Sequence, residues 1–186
     1  MKRLKWPILV LSGAIAALAQ QPQQANPDSP VVKDFSRRVA DYVKLHKTAV
    51  SEIHRLKPTN SPAAIAHYEH QLAQRIRAAR RDVVQGNVFT PAIEEEFRRL
   101  IGIAMQGPDA ARIRESLRSA APVQFRAIRV NGDYPAGLPL ESTPPSLLLN
   151  LPKLPPEVDF RVVGHDLALR DVDANLIVDL MANAIR

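Results

Sequence analysis

His67 and His70 lie three residues apart and flank Tyr68-Glu69. At that spacing the two imidazoles can share a helix face and bind a divalent metal. Counted at ~100° per residue from Ile65, both histidines point away from the apolar stripe of their helix, so His67 and His70 are surface ligands, with Glu69 as a third candidate. His46 lies inside the stripe of the preceding helix and His54 beside it, so the four histidines do not gather at one point. Asp171-Val-Asp173-Ala-Asn175 opens like a calcium loop. Leu176 then stands where such a loop needs glycine and Ala182 where it needs glutamate, so the segment reads as a tight turn. His165-Asp166 resembles an acid/base pair in composition only, because adjacent strand residues face opposite ways. Ser142, Thr143 and Ser146 are hydroxyls in a loop without an attendant base. The chain carries no G-x-S-x-G, S-x-x-K, H-E-x-x-H or phosphate-binding glycine loop. The densest basic cluster is Arg75, Arg77, Arg80 and Arg81, spread around a helix. Arg77, Arg80 and Arg81, with Leu147 and Leu149, are the candidate interaction residues, suited to an anionic envelope surface or a partner protein.

The elements that hold these residues announce themselves by proline and periodicity. Residues 1–19 have a basic start (Lys2, Arg3, Lys5), a 12-residue apolar run and an Ala17-Leu18-Ala19 cleavage pattern, which predict a secretory signal peptide. Residues 20–27 are a polar tether with nothing to bury, expected to be disordered. A helical region follows over 28–120. Its first helix starts around Pro30 and carries a stripe of Phe35, Val39, Tyr42, His46, Ala49, Ile53 and Leu56. The second is capped by Ser61, opens at Pro62 and is expected to end at Gly86, giving an antiparallel helical hairpin. Thr90-Pro91 starts a third helix with Ile93, Phe97, Leu100, Ile101 and Ala104 inward; a short fourth spans about 109–119.

Residues 121–186 change character. Phe125, Ile128 and Val130 are candidate buried positions before an Asn131-Gly132 turn. Seven of the residues 135–156 are proline, which predicts an extended arm without helix or central strand. The tail reads as a β-meander over 158–163, 166–170 and 176–181, although the last apolar run is compatible with a helix. The fold class is α+β: an N-terminal helical hairpin, two shorter helices, a Pro-rich extended arm and a small antiparallel β-meander.

The segments Pro145-Ser-Leu-Leu-Leu-Asn-Leu-Pro152, Gly86-Asn-Val-Phe-Thr-Pro-Ala-Ile-Glu-Glu-Glu-Phe-Arg-Arg-Leu-Ile101 and the ending from Asp159 to Ile185 resemble an uncharacterised set of secreted bacterial proteins. The resemblance implies export and supplies no activity. The V-V-G-x-D-L-x-L-x-D hairpin is also similar to the carboxy-terminal hairpin of small periplasmic proteins of nickel/cobalt homeostasis.

Composition narrows the classes further. The 186 residues include 46% hydrophobic residues and no cysteine, which excludes a wholly disordered chain, disulfides and thiolate metal sites. The net charge of +6 falls to +3 once Lys2, Arg3 and Lys5 leave with the signal, too little for a nucleic-acid-binding face. No later stretch is long enough to span a bilayer. The expectation is an exported periplasmic or secreted protein, non-enzymatic, contacting an envelope or secreted protein partner or its own copies. Two alternatives stand beside it: a metal-binding protein using His67, His70 and Glu69, and a hydrolase of envelope material. No other cofactor is expected.

Overall fold

The computed structural model describes residues 25–120, 128–135 and 143–185. The expected signal peptide, most of the tether and Phe125 lie outside the described residues. Ala25, three residues before the expected start of the helical region, is already tied to the fold: its amide donates to the Asn150 carbonyl (3.2 Å) and its methyl packs on the core.

Each of the first three helices begins at a proline, whose missing N–H would have had no helical partner. They are α1 (Pro30–Ser51), α2 (Pro62–Ala79) and α3 (Pro91–Ala104), followed by α4 (Ala110–Ala120). The Ser61 hydroxyl caps α2 by accepting from the Ala64 amide (3.4 Å). Two ends differ from the sequence reading. The α1 stripe was expected to stay helical to Leu56, but the helix stops at Ser51, where the Glu52 and Ile53 amides bond three residues back. Ile53 still packs against the core from this looser turn. The second helix ends at Ala79 and not at Gly86, because Arg80 leaves helical geometry (φ −120°) and its guanidinium turns inward. Gly86, at φ +90°, serves instead to turn the following loop.

The proline arm is not wholly extended. Pro145–Leu148 forms a one-turn helix, α5, which the proline density had seemed to forbid. Its prolines occupy the cap and first position, where no amide is needed, so the turn costs nothing there.

The tail is the expected meander: β1 (Val158–Val163), β2 (Asp166–Asp171) and β3 (Leu176–Met181), antiparallel in the order β1-β2-β3. The last apolar run is therefore a strand. Gly164 (φ 62°) and Asn175 (φ 48°) take the left-handed backbone that the two tight turns require. Between β2 and β3 the pairing jumps from Leu169–Asp179 to Arg170–Ile177, leaving Val178 as an extra residue in β3. That bulge resets the alternation of faces.

The sheet is the middle layer. On one side Val158, Phe160, Val162, Leu167, Leu169, Leu176, Val178 and Met181 join α1, α3 and the 88–89 loop in one core. Phe35 is its hub, with ring centroids of Phe97, Phe89 and Phe160 at 4.9, 6.0 and 6.1 Å. On the other side Val163, Ala168, Ile177 and Leu180 pack with Tyr134, Ile128 and Val130. Coverage on both faces explains why β2 and β3 are buried almost throughout. Among the described residues, no helix is long and apolar enough to cross a membrane.

Candidate functional site

Tyr42 and His46 are four residues apart in α1, so both project from one face. That face meets the end of β2, where Asp171 is fully buried. One carboxylate oxygen, Oδ2, accepts from Tyr42 Oη and from His46 Nδ1, each at 2.6 Å. The other, Oδ1, accepts from the Ala174 amide (2.8 Å) and so shapes the 172–175 turn. The turn brings half-exposed Asp173 to the far side of the ring, 3.5 Å from His46 Nε2. The imidazole is thus held between two carboxylates while only 3% exposed.

Burial is the largest single influence on His46 and would lower its pKa, but the hydrogen bonds and charges of Asp171 and Asp173 outweigh it. The result is pushed up to about 9. The ring is an imidazolium at neutral pH, with both nitrogens donating. Asp173 is correspondingly held below the usual carboxylate range, chiefly by its bond to His46. Burial, then the Asp171 charge, drives the Tyr42 hydroxyl far up, so it stays a donor. An Asp–His pair can serve general-base chemistry only when the ring is neutral and its free nitrogen faces a substrate. Here the ring is charged and that nitrogen faces Asp173. The arrangement acts as a charged clamp between α1 and the sheet.

A second buried acid lies on β3. Asp179 is next to Leu180, which packs on the other layer, so it lies on the helix side. It accepts from the amides of Gly86 (3.0 Å), Val88 (2.6 Å) and Phe89 (2.9 Å). Arg80 ties the same region down: Nη2 donates to the Val178 carbonyl and Nη1 to Asn131 Oδ1, both 2.8 Å, and its guanidinium lies 5.0 Å from the Tyr42 ring centroid. Burial lowers the Arg80 pKa from its ordinary value, with the nearby Tyr42, Asp179 and Asp171 opposing.

Of the residues singled out in the sequence, Arg80 and Leu147 are corrected as surface contacts. Both are interior, at 3% and 0% exposure, because the guanidinium finds carbonyl partners inside and α5 turns the leucine into the core. Arg77 is half-buried, with Nε donating to the Asn131 carbonyl (2.8 Å) and an ion pair to Asp133. Arg81 is exposed, and Leu149 is 62% exposed. His67 and His70 are exposed on α2 and Glu69 is half-buried; His70 Nε2 lies 2.8 Å from the Gln74 side-chain amide. Among the described residues, no three His, Cys, Asp or Glu side chains converge as a metal would require.

Thr143 Oγ1 accepts from the Val162 amide (3.0 Å) at the edge of β1, His165 Nδ1 donates to the Ile185 carbonyl (3.0 Å), and Asp166 accepts from the Asn183 amide (2.9 Å). Each is occupied in holding chain segments together. The signals for the buried set were slight: a histidine inside an apolar stripe, and one carboxylate inside the apolar run 176–181. Comparison with protein-family models, with curated proteins and with solved structures found no match to this chain.

Proposed function

We propose that the protein is an exported, non-enzymatic interaction module that presents its outer face to an envelope or secreted protein partner or to a second copy of itself. The observation that carries this reading is the use made of the buried ionisable groups. His46, Asp171, Asp179 and Arg80 each bond across the boundary between the helical half and the sheet or the 86–89 loop. They stiffen a platform, and none of them is presented to a ligand. The two most exposed large apolar side chains among the described residues, Leu149 at 62% and Val84 at 73%, and the exposed Arg81 suit contact with another macromolecule. Export rests on the amino-terminal pattern of residues 1–19.

The test is in-cell photo-crosslinking in the source organism, with the photoreactive residue placed at Leu149 or at Arg81, followed by fractionation. The expected result is one reproducible adduct, with an exported protein or with a second copy, recovered outside the cytoplasm. A cytoplasmic protein, or a monomer without adducts from both positions, overturns the reading.

A further inference from the structure

The connection between α1 and α2 forms an open recess of about 870 Å³, lined by residues 53–59 and by Ile65 from the first turns of α2. Its size falls in the range that small-molecule sites occupy. Ile53, Leu56, Pro58 and Ile65 supply apolar lining, and Ile65 is 38% exposed, one of the few large apolar side chains left open among the described residues. The remaining lining is cationic or neutral. His54, Arg55 and Lys57 stand there with no carboxylate among the lining residues. None of the three makes a hydrogen bond or ion pair among the described residues, whereas Arg37, Arg98, Arg99 and Arg118 all pair with an acid on their own helix. The amino terminus of α2 opens beside the recess and adds the positive end of its dipole.

We propose that this recess binds a free single-chain anionic amphiphile, a long acyl chain ending in a carboxylate. The chain lies on Leu56, Pro58 and Ile65, and the head is met by Arg55 and Lys57. An apolar recess suits one inserted chain better than a flat bilayer surface, and two cations that form no ion pair among the described residues select the sign of the head group. The site is separate from the His46 clamp and does not depend on the interaction reading above.

Calorimetric titration of the exported chain with dodecanoate below its micelle concentration, with dodecyltrimethylammonium as control, tests this. Dodecanoate is expected to bind and the cationic surfactant not to bind. The double substitution Arg55→Glu/Lys57→Glu should weaken dodecanoate binding by about tenfold or more, at least about 1.4 kcal/mol. Ile65→Ser should weaken it by a comparable factor, and Arg112→Glu, a remote exposed site, should leave it unchanged. All four positions are exposed, so the fold is expected to survive, and circular dichroism checks it. Equal binding of both surfactants, dodecanoate binding indifferent to the double substitution, or no binding overturns the proposal. So does co-sedimentation with phosphatidylglycerol vesicles without dodecanoate binding, which makes the tip a membrane-docking surface.

Discussion

Asp171 and Asp179 sit on neighbouring strands, both with no exposed surface, and they are satisfied in opposite ways. Asp179 is met by backbone amides of the 86–89 loop, donors that cannot titrate or leave. Asp171 is met mainly by side chains of α1, one of which is an imidazolium whose charge depends on pH. The first arrangement is a fixed anchor and the second a conditional one. A buried carboxylate must be bonded in either case; its partners decide whether the bond responds to conditions.

The sharpest way to break this comparison is Asp179→Ala. It strands three loop amides and removes the charge opposite Arg80, and should cost on the order of 3–5 kcal/mol in urea unfolding, more than any change at Asp171. A smaller loss than that of Asp171→Asn would overturn the ranking. Next comes pH. The folded pKa of His46 is raised from 6.5 to about 9, so its contribution is fully present below about 6.5 and is lost as pH rises through 9. Stability should fall by up to about 3 kcal/mol across that window. His46→Gln should flatten the slope, and Asp179→Asn, in whatever stability remains, should not. Asp173 works at the other end: its pKa is depressed below 3.8, so its contribution is present above 3.8 and is lost as pH falls through its lower folded value.

Asp171→Asn keeps an acceptor oxygen for the Ala174 amide but puts an NH2 group where the oxygen shared by Tyr42 and His46 stood, and it removes the buried charge. It should cost about 2 kcal/mol at pH 7 and bring the His46 pKa down, read from its ring proton shifts. The smallest effect belongs to Tyr42→Phe, about 1 kcal/mol for one hydrogen bond, with the ring still stacked on Arg80. A loss as large as that of Asp171→Asn would mean that the hydroxyl, and not the imidazolium, holds the clamp.

Much of the frame was legible in the chain. Pro30, Pro62 and Pro91 mark helix starts because a proline has no amide to waste there, and Phe35, Val39, Tyr42 and Ala49 repeat at the helical period because one face is buried. The meander was readable from its turn residues, Gly164 and Asn175 among them. The site was not legible in the same way. His46 stood out only as a polar residue in an apolar stripe, and Asp171 read as an ordinary turn aspartate. The two are 125 residues apart, and no local pattern encodes which strand end α1 will cross. Arg80 illustrates the reverse error. Its place in a run of arginines suggests a solvated surface, yet the helix ends at Ala79, well short of Gly86, and Arg80 just past its end turns inward.

The sequence by itself determined the elements: where helices start, which faces are apolar, where the strands turn, and that the class is α+β. These follow from steric and hydrogen-bonding rules that act within a few residues. Only the tertiary structure decided which acid meets which donor. Partners across 90 to 129 residues, such as Asp179 with Phe89 and Asp171 with Tyr42, are chosen by packing of whole elements, including a one-residue bulge at Val178. Burial then fixes the chemistry, because a carboxylate removed from water takes its character from the few donors left within reach.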